Sequence, residues 1–121
     1  MSFGSLGLHP DLLRTRAQRG HLRPTPIQAA AIPAALAGRD LIGAAVTGSG
    51  KTLAYVLPAL QQLLHLLGTE PETPRPVRVL VLVPARELAQ QVSDTFLAYA
   101  QALALRVKLV TLVGGVSVNP Q

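Results

Sequence analysis

Thr47-Gly48-Ser49-Gly50-Lys51-Thr52 is the stretch of this 121-residue chain with the clearest chemistry. Small residues let a backbone curl until successive N–H groups point at one anion. A helix that begins at the end of such a loop adds unpaired donors and a partial positive charge. Lys51 then reaches terminal phosphates, and the Thr52 hydroxyl is placed to sit on Mg²⁺. The residue types therefore point to phosphate binding, provided that a strand precedes the loop and a helix follows it. The competing reading is a glycine-rich turn before a helix.

Other residues carry weaker signals. Thr25-x-x-Gln28 has the spacing of a capping box, in which the Gln side chain bonds back to the cap N–H. Arg86 follows an apolar run, at the edge where open α/β sheets bind ligands. It also fits a helix-start Arg paired with Glu87. His9 and His65 read as surface or helix-flank residues. With no Cys and no paired His spacing, no metal site other than Mg²⁺ is expected.

The elements that must hold these residues are legible in outline. Pro10 and Gly20 frame a helix over about 10–19, with Arg14, Arg16 and Arg19 in its last turns as dipole complements. Thr25-Pro26 opens a second helix, to about Ala37, stopped by Gly38. Asp40 to Ala45 is a short apolar run and reads as a buried strand. A long helix is expected from Lys51 to about Leu67, kinked or broken at Pro58. Residues 68–76 hold three prolines and form a loop. Val77 to Val83 reads as a central parallel strand, apolar on both faces. Leu88, Val92, Phe96, Tyr99 and Leu103 recur at helical spacing within 85–105, and Arg106 to Val113 reads as a third strand. Alternating strands and helices predict a parallel α/β sheet with flanking helices and right-handed crossovers.

Composition agrees with one small domain. Hydrophobic residues are 49% and charged residues 14%, so a core is affordable and disorder is excluded. The absence of cysteine excludes a disulfide scaffold and suits the cytoplasm. The net charge of +5 allows a nucleic-acid partner without requiring one. The uncharged stretch from Thr52 to Thr69 contains Pro58, Gln61, Gln62 and His65, and reads as a core helix rather than a membrane span.

Ala45-Val46-Thr47-Gly48-Ser49-Gly50-Lys51-Thr52 has Ala45 where the strict phosphate-loop pattern has glycine. In this form it resembles motif I of the superfamily 2 helicases, and of the DEAD-box family in particular. Gly20 to Gln28 resembles that family's Q motif. Phe3, 17 residues before Gly20, matches its isolated upstream aromatic. Pro84-Ala85-Arg86-Glu87-Leu88-Ala89 resembles motif Ia, with Ala85 where Thr is usual. Gly114-Gly115 resembles the GG motif, and the tail from Gly114 to Gln121 is similar to the bacterial RhlE-like branch.

The resemblance implies an incomplete RecA-like P-loop domain over 39–121, preceded by a Q-motif helical region over 1–38. It implies an ATP-dependent RNA helicase that binds ATP and Mg²⁺ through His21, Gln28 and the loop from Ala45 to Thr52. Lys51 and Thr52 would be the catalytic residues, and Thr52 the metal ligand. RNA backbone would be gripped at Pro84, Arg86, Gly114 and Gly115. The Gln28 amide would donate to one adenine edge atom and accept from another. His21 stands where the family prefers Phe or Tyr beside the base; an exposed loop residue is the alternative.

The family's acidic motif, its S-A-T motif and its second RecA-like domain have no counterpart here. The only acids are Asp11, Asp40, Glu70, Glu72, Glu87 and Asp94, and no two are adjacent. Met1 reads as a true start, so the missing part is expected on the C-terminal side. In RecA-like sheets the strand before the phosphate loop is flanked by strands that come later in the chain. That strand is therefore expected to expose an apolar edge, in a half-domain of marginal stability. Two other functions stay open: a nucleotide-binding fragment without hydrolysis, and a non-enzymatic module that binds RNA or protein.

Overall fold

The computed structural model describes residues 2–20, 23–48, 50–67 and 76–114. A 3-10 turn, Phe3–Leu6, leads into α1 (Pro10–Gln18), α2 (Pro26–Leu36), α3 (Lys51–Leu67) and α4 (Arg86–Ala102). Helix α3 packs on both α2 and α4, while the N-terminal turn lies on α1 and α2, and α1 also reaches α4. Leu12, Ile32, Val56, Leu57, Leu60 and Tyr99 are almost wholly buried at the centre. The core thus draws on residues from both sides of position 38. No described helix is long and apolar enough to cross a membrane.

The helix ends follow local chemistry. Pro10 takes the first position of α1, and the His9 Nδ1 accepts the Asp11 N–H at 3.2 Å. Thr25 caps α2, and both bonds of the capping box are present. Gly38, at φ +77°, turns the chain out of α2. Ala104 does the same after α4 at φ 54°, in a conformation where a side chain normally clashes.

Two expectations need correction. Helix α3 is not broken at Pro58 but continues to Leu67. The lost backbone bond is outweighed by burial of Val56, Leu57, Leu60 and Leu63 on either side of the proline. Arg16 does lie in the last turn of α1, as expected, and is also buried there, packed between Phe3 and Tyr99. Leu88, expected on the inner stripe of α4, is exposed, whereas Val92, Phe96 and Tyr99 of that stripe are buried.

The correction in the sheet is larger. Among the described residues no strand ladder is formed by the runs 40–45, 77–83 and 106–113. Apolar composition selects an extended, half-buried backbone, but a strand is defined by a hydrogen-bonded neighbour about 4.8 Å away. The helical layer covers one side of two of these runs: Val79, Leu105, Val107 and Leu109 pack on the core. From Leu105 to Val113 half-buried and exposed residues alternate strictly, the two-residue period of a strand without its partner. The Thr111 and Ser93 hydroxyls, 2.6 Å apart, tie that run to α4. Ile42 is fully exposed and Leu82 is 85% exposed. The run before the phosphate loop does present an apolar edge, and the buried central strand expected at 77–83 is not realised.

Candidate nucleotide site

Gly48 and Gly50 both hold positive φ, at +80° and +86°, so the chain curls tightly before α3 opens at Lys51. The cradle expected from the sequence therefore sits at a helix N-terminus. Lys51 is exposed, and its Nζ donates to the Ala45 carbonyl at 2.8 Å. That bond ties the cation to the carbonyl at the start of its own loop. Val46, Thr47 and Gly48 are exposed, and Ala45, Gly50 and Thr52 are half-buried. Ser49 lies outside the described residues.

Gln28 joins the two halves of the site. It is 2% exposed. Its Oε1 accepts the Thr25 N–H at 3.0 Å, and its own N–H reaches the Thr25 Oγ1 at 3.4 Å. Its Nε2 donates to the Gly50 carbonyl at 3.0 Å. Gly50 O also accepts the Ala54 N–H at 3.4 Å, in the first turn of α3. The capping-box reading is thus correct, and the same amide also touches the phosphate loop. A Cβ at Gly50 would overlap the Gln28 Nε2 and lie 3.2 Å from both its Cδ and the Thr25 Oγ1. Glycine is required there by contact as well as by dihedral angle.

The residues expected to meet RNA are less assembled. Arg86 is exposed at the first position of α4, and Pro84 and Gly114 are exposed. Ala85 occupies the N-cap of α4 and makes no side-chain capping bond, so the first-turn N–H groups lack that acceptor. His21 and Gly115 lie outside the described residues, as does most of the tail that is similar to the RhlE-like branch. Among the described residues no group of three His, Asp or Glu side chains could hold a metal. The Thr52 hydroxyl fits a Mg²⁺ that takes its other ligands from phosphates and water.

Sequence reasoning missed two contacts. The Gln61 amide on α3 clamps the N-terminal segment, accepting the His9 N–H at 2.7 Å and donating to the Gly7 carbonyl at 3.0 Å. A glutamine pair, Gln61 and Gln62, within a mostly apolar helix was the available signal. Arg16 Nη1 donates to the Tyr99 hydroxyl at 2.7 Å, across 83 residues of sequence, and nothing local announces that pair.

A glycine loop with its lysine at a helix start has the layout of a phosphate loop. The profile of the DEAD/DEAH box helicases matches residues 25–121, and the chain belongs to that family. It is 50% identical over 118 residues to the ATP-dependent RNA helicase SrmB of Escherichia coli (strain K12), covering 96% of this chain and 25% of that protein. It is 48% identical over 120 residues to the ATP-dependent rRNA helicase rrp3 of Sclerotinia sclerotiorum, covering 99% and 23%. The chain thus spans about a quarter of the length of these relatives. The crystal structure of the RNA helicase Prp28 from Chaetomium thermophilum bound to ADP superposes with a TM-score of 0.80 at 43% identity, over 98% of this chain and 28% of that one. A DEAD box protein from the hyperthermophile Methanococcus jannaschii gives 0.76 at 29% identity, over 99% and 31%. These neighbours are RecA-like helicase domains. None of these names bears on the RhlE-like branch.

Proposed function

We propose that this chain is the ATP-binding front of the first RecA-like domain of an ATP-dependent RNA helicase acting in the cytoplasm. The observation that carries the reading is the Gln28 Nε2 bond to the Gly50 carbonyl, which brings a base-reading amide to the phosphate loop. In this reading His21 and Gln28 take the adenine, and the loop from Ala45 to Thr52 takes the phosphates. Lys51 neutralises the terminal phosphates and Thr52 holds Mg²⁺. Pro84, Arg86, Gly114 and Gly115 hold RNA backbone. The runs 40–45, 77–83 and 106–113 become strands of a parallel sheet when neighbours pair with them. Residues 1–38 serve as the base-side region and 39–121 as the phosphate- and RNA-side region.

Gln28 gives the first test. Gln28→Ala should erode the preference for ATP over GTP more than it lowers affinity for the shared triphosphate. Paired competition titrations measure this. Equal weakening of both nucleotides, with a melting point several degrees lower, would leave Gln28 with its capping role alone.

The lack of an adjacent acidic pair favours a second reading for these 121 residues taken by themselves, nucleotide binding without turnover. Phosphoryl transfer needs a held metal, a positioned water and a cation on the developing charge. Lys51 and Thr52 supply only part of that set. Phosphate release by residues 1–121 should therefore equal that of Lys51→Ala, with or without RNA. Release above that blank would mean that Asp40 or Asp94 replaces the acidic motif.

A further inference from the structure

The inward row of the run after α4 is aliphatic until Thr111. Leu105, Val107 and Leu109 pack on the core, and the next position of the same row is Thr111, half-buried. It meets Ser93, which is 8% exposed among the buried residues of α4, and the two hydroxyls lie 2.6 Å apart. A valine facing an alanine would fill this space without taking hydroxyls out of water. What the polar pair adds is register. A slip of the run by one residue would turn Arg106 and Lys108 inward, so burial alone forbids it. A slip of two keeps every side chain on its face and mostly trades one aliphatic residue for another. Thr111 marks the register, because no other residue from Leu105 to Val113 brings a hydroxyl to Ser93.

That register decides how two exposed groups are spaced. Arg86 opens α4 seven residues before Ser93, which puts both on one face about 10 Å apart along the axis. The Leu105 N–H donates to the Ala100 carbonyl at 2.9 Å, and Thr111 meets Ser93 further back, so the run returns along α4 toward its first turn. Gly114 follows Thr111 by three residues, up to about 10 Å of chain. It is exposed, its φ is not positive, and a Cβ there would meet none of the described residues. Neither packing nor backbone angle calls for glycine, and the missing side chain leaves the backbone open to close approach.

We propose that the Ser93 and Thr111 hydroxyls are a positioning pair for RNA backbone, fixing the spacing between Arg86 at the start of α4 and Gly114 at the end of the run. The inference rests on the RNA reading above and adds to it a determinant that touches no RNA itself. A two-residue slip would carry Gly114 about 7 Å along the run, beyond the reach of any hydrogen bond it makes. The recorded bonds of Gln28 and Lys51 involve neither hydroxyl.

The test measures binding of a dye-labelled oligouridine by fluorescence anisotropy across a salt series, and ATP binding by calorimetry, on the 121-residue chain. Thr111→Val keeps the shape and removes the hydroxyl. Ser93→Ala breaks the bond from the other side, so a packing fault in one variant is not mistaken for loss of the bond. Thr111→Ser keeps the hydroxyl. In Thr111→Val and Ser93→Ala, RNA affinity should fall about 3- to 10-fold, the worth of one hydrogen bond. The salt slope should not change, because Gly114 carries no charge; Arg86→Ala, by contrast, should shrink it by about 0.7. ATP affinity should stay within about twofold in both hydroxyl variants, and Thr111→Ser should bind RNA as the wild type does. Unchanged RNA affinity in Thr111→Val and Ser93→Ala overturns the inference. So does a fall in Thr111→Ser as large as in Thr111→Val, or ATP affinity that falls in step with RNA affinity. A wild-type chain that binds no RNA, or whose salt slope is the same in Arg86→Ala, overturns the RNA reading, and this inference with it.

Discussion

Replacing Lys51 with alanine should weaken ATP binding about 10- to 150-fold while leaving the far-UV spectrum unchanged. The ammonium makes charge-assisted bonds to phosphate, worth about 1.5–3 kcal/mol each, which convert to that range of affinity. The fold should survive because Lys51 is exposed and its recorded bond is to the Ala45 carbonyl of its own loop. That carbonyl stays accessible to water in the variant, so no buried acceptor is orphaned. Calorimetric titration of the folded variant is the measurement. Unchanged affinity would remove the basis for the phosphate-loop reading.

Gly50→Ala should damage both stability and binding, and by more than the same change at Gly48. Both glycines have positive φ, and a side chain there costs about 1–2 kcal/mol. Only at Gly50 does the new Cβ also overlap the Gln28 Nε2; at Gly48 it meets nothing within 4 Å. Overpacking of this kind costs about 1–3 kcal/mol more, because the buried Gln28 amide must give up its bonds to Thr25 and Gly50 to make room. Gly50→Ala should therefore melt well below Gly48→Ala, and should lose ATP binding through a displaced amide as well as a distorted loop. Equal melting temperatures for the two variants would show that Gln28 is not wedged against the loop.

The helices were legible because their signals are local. Pro10 and Gly20, Thr25 and Gly38, and the glycines before Lys51 each act within a turn or two of where they stand. The glycine turn before α3 was legible for the same reason. The capping role of Gln28 was legible too, whereas its bond to the Gly50 carbonyl was not, although a buried amide has enough hydrogen-bonding atoms for both. The sheet was not legible in the same way. The run 106–113 has the right residues and the right alternation, yet pairing is a relation between segments that no single segment encodes. The burial of Arg16 was not legible because its partners, Phe3 and Tyr99, lie on other elements. The break at Pro58 is not realised because helix propensity is a weak term beside the burial of the residues around it.

The exposed apolar runs also set how copies of this chain behave toward one another. Ile42, Leu80, Leu82, Val110 and Leu112 lie outward on extended backbone, the form in which edges recruit other edges into fibrous or amorphous assemblies. Arg106 and Lys108 stand on the same outward row as Val110 and Leu112, and Arg78 interrupts the apolar run at 77–83, as gatekeepers do beside an unavoidable sticky segment. With a net charge of +5, two copies repel before their edges meet. That protection is colloidal rather than structural. It acts over about 10 Å at 0.1 M ionic strength and shrinks to about 3 Å at 1 M, so salt brings the bare edges of neighbouring copies together.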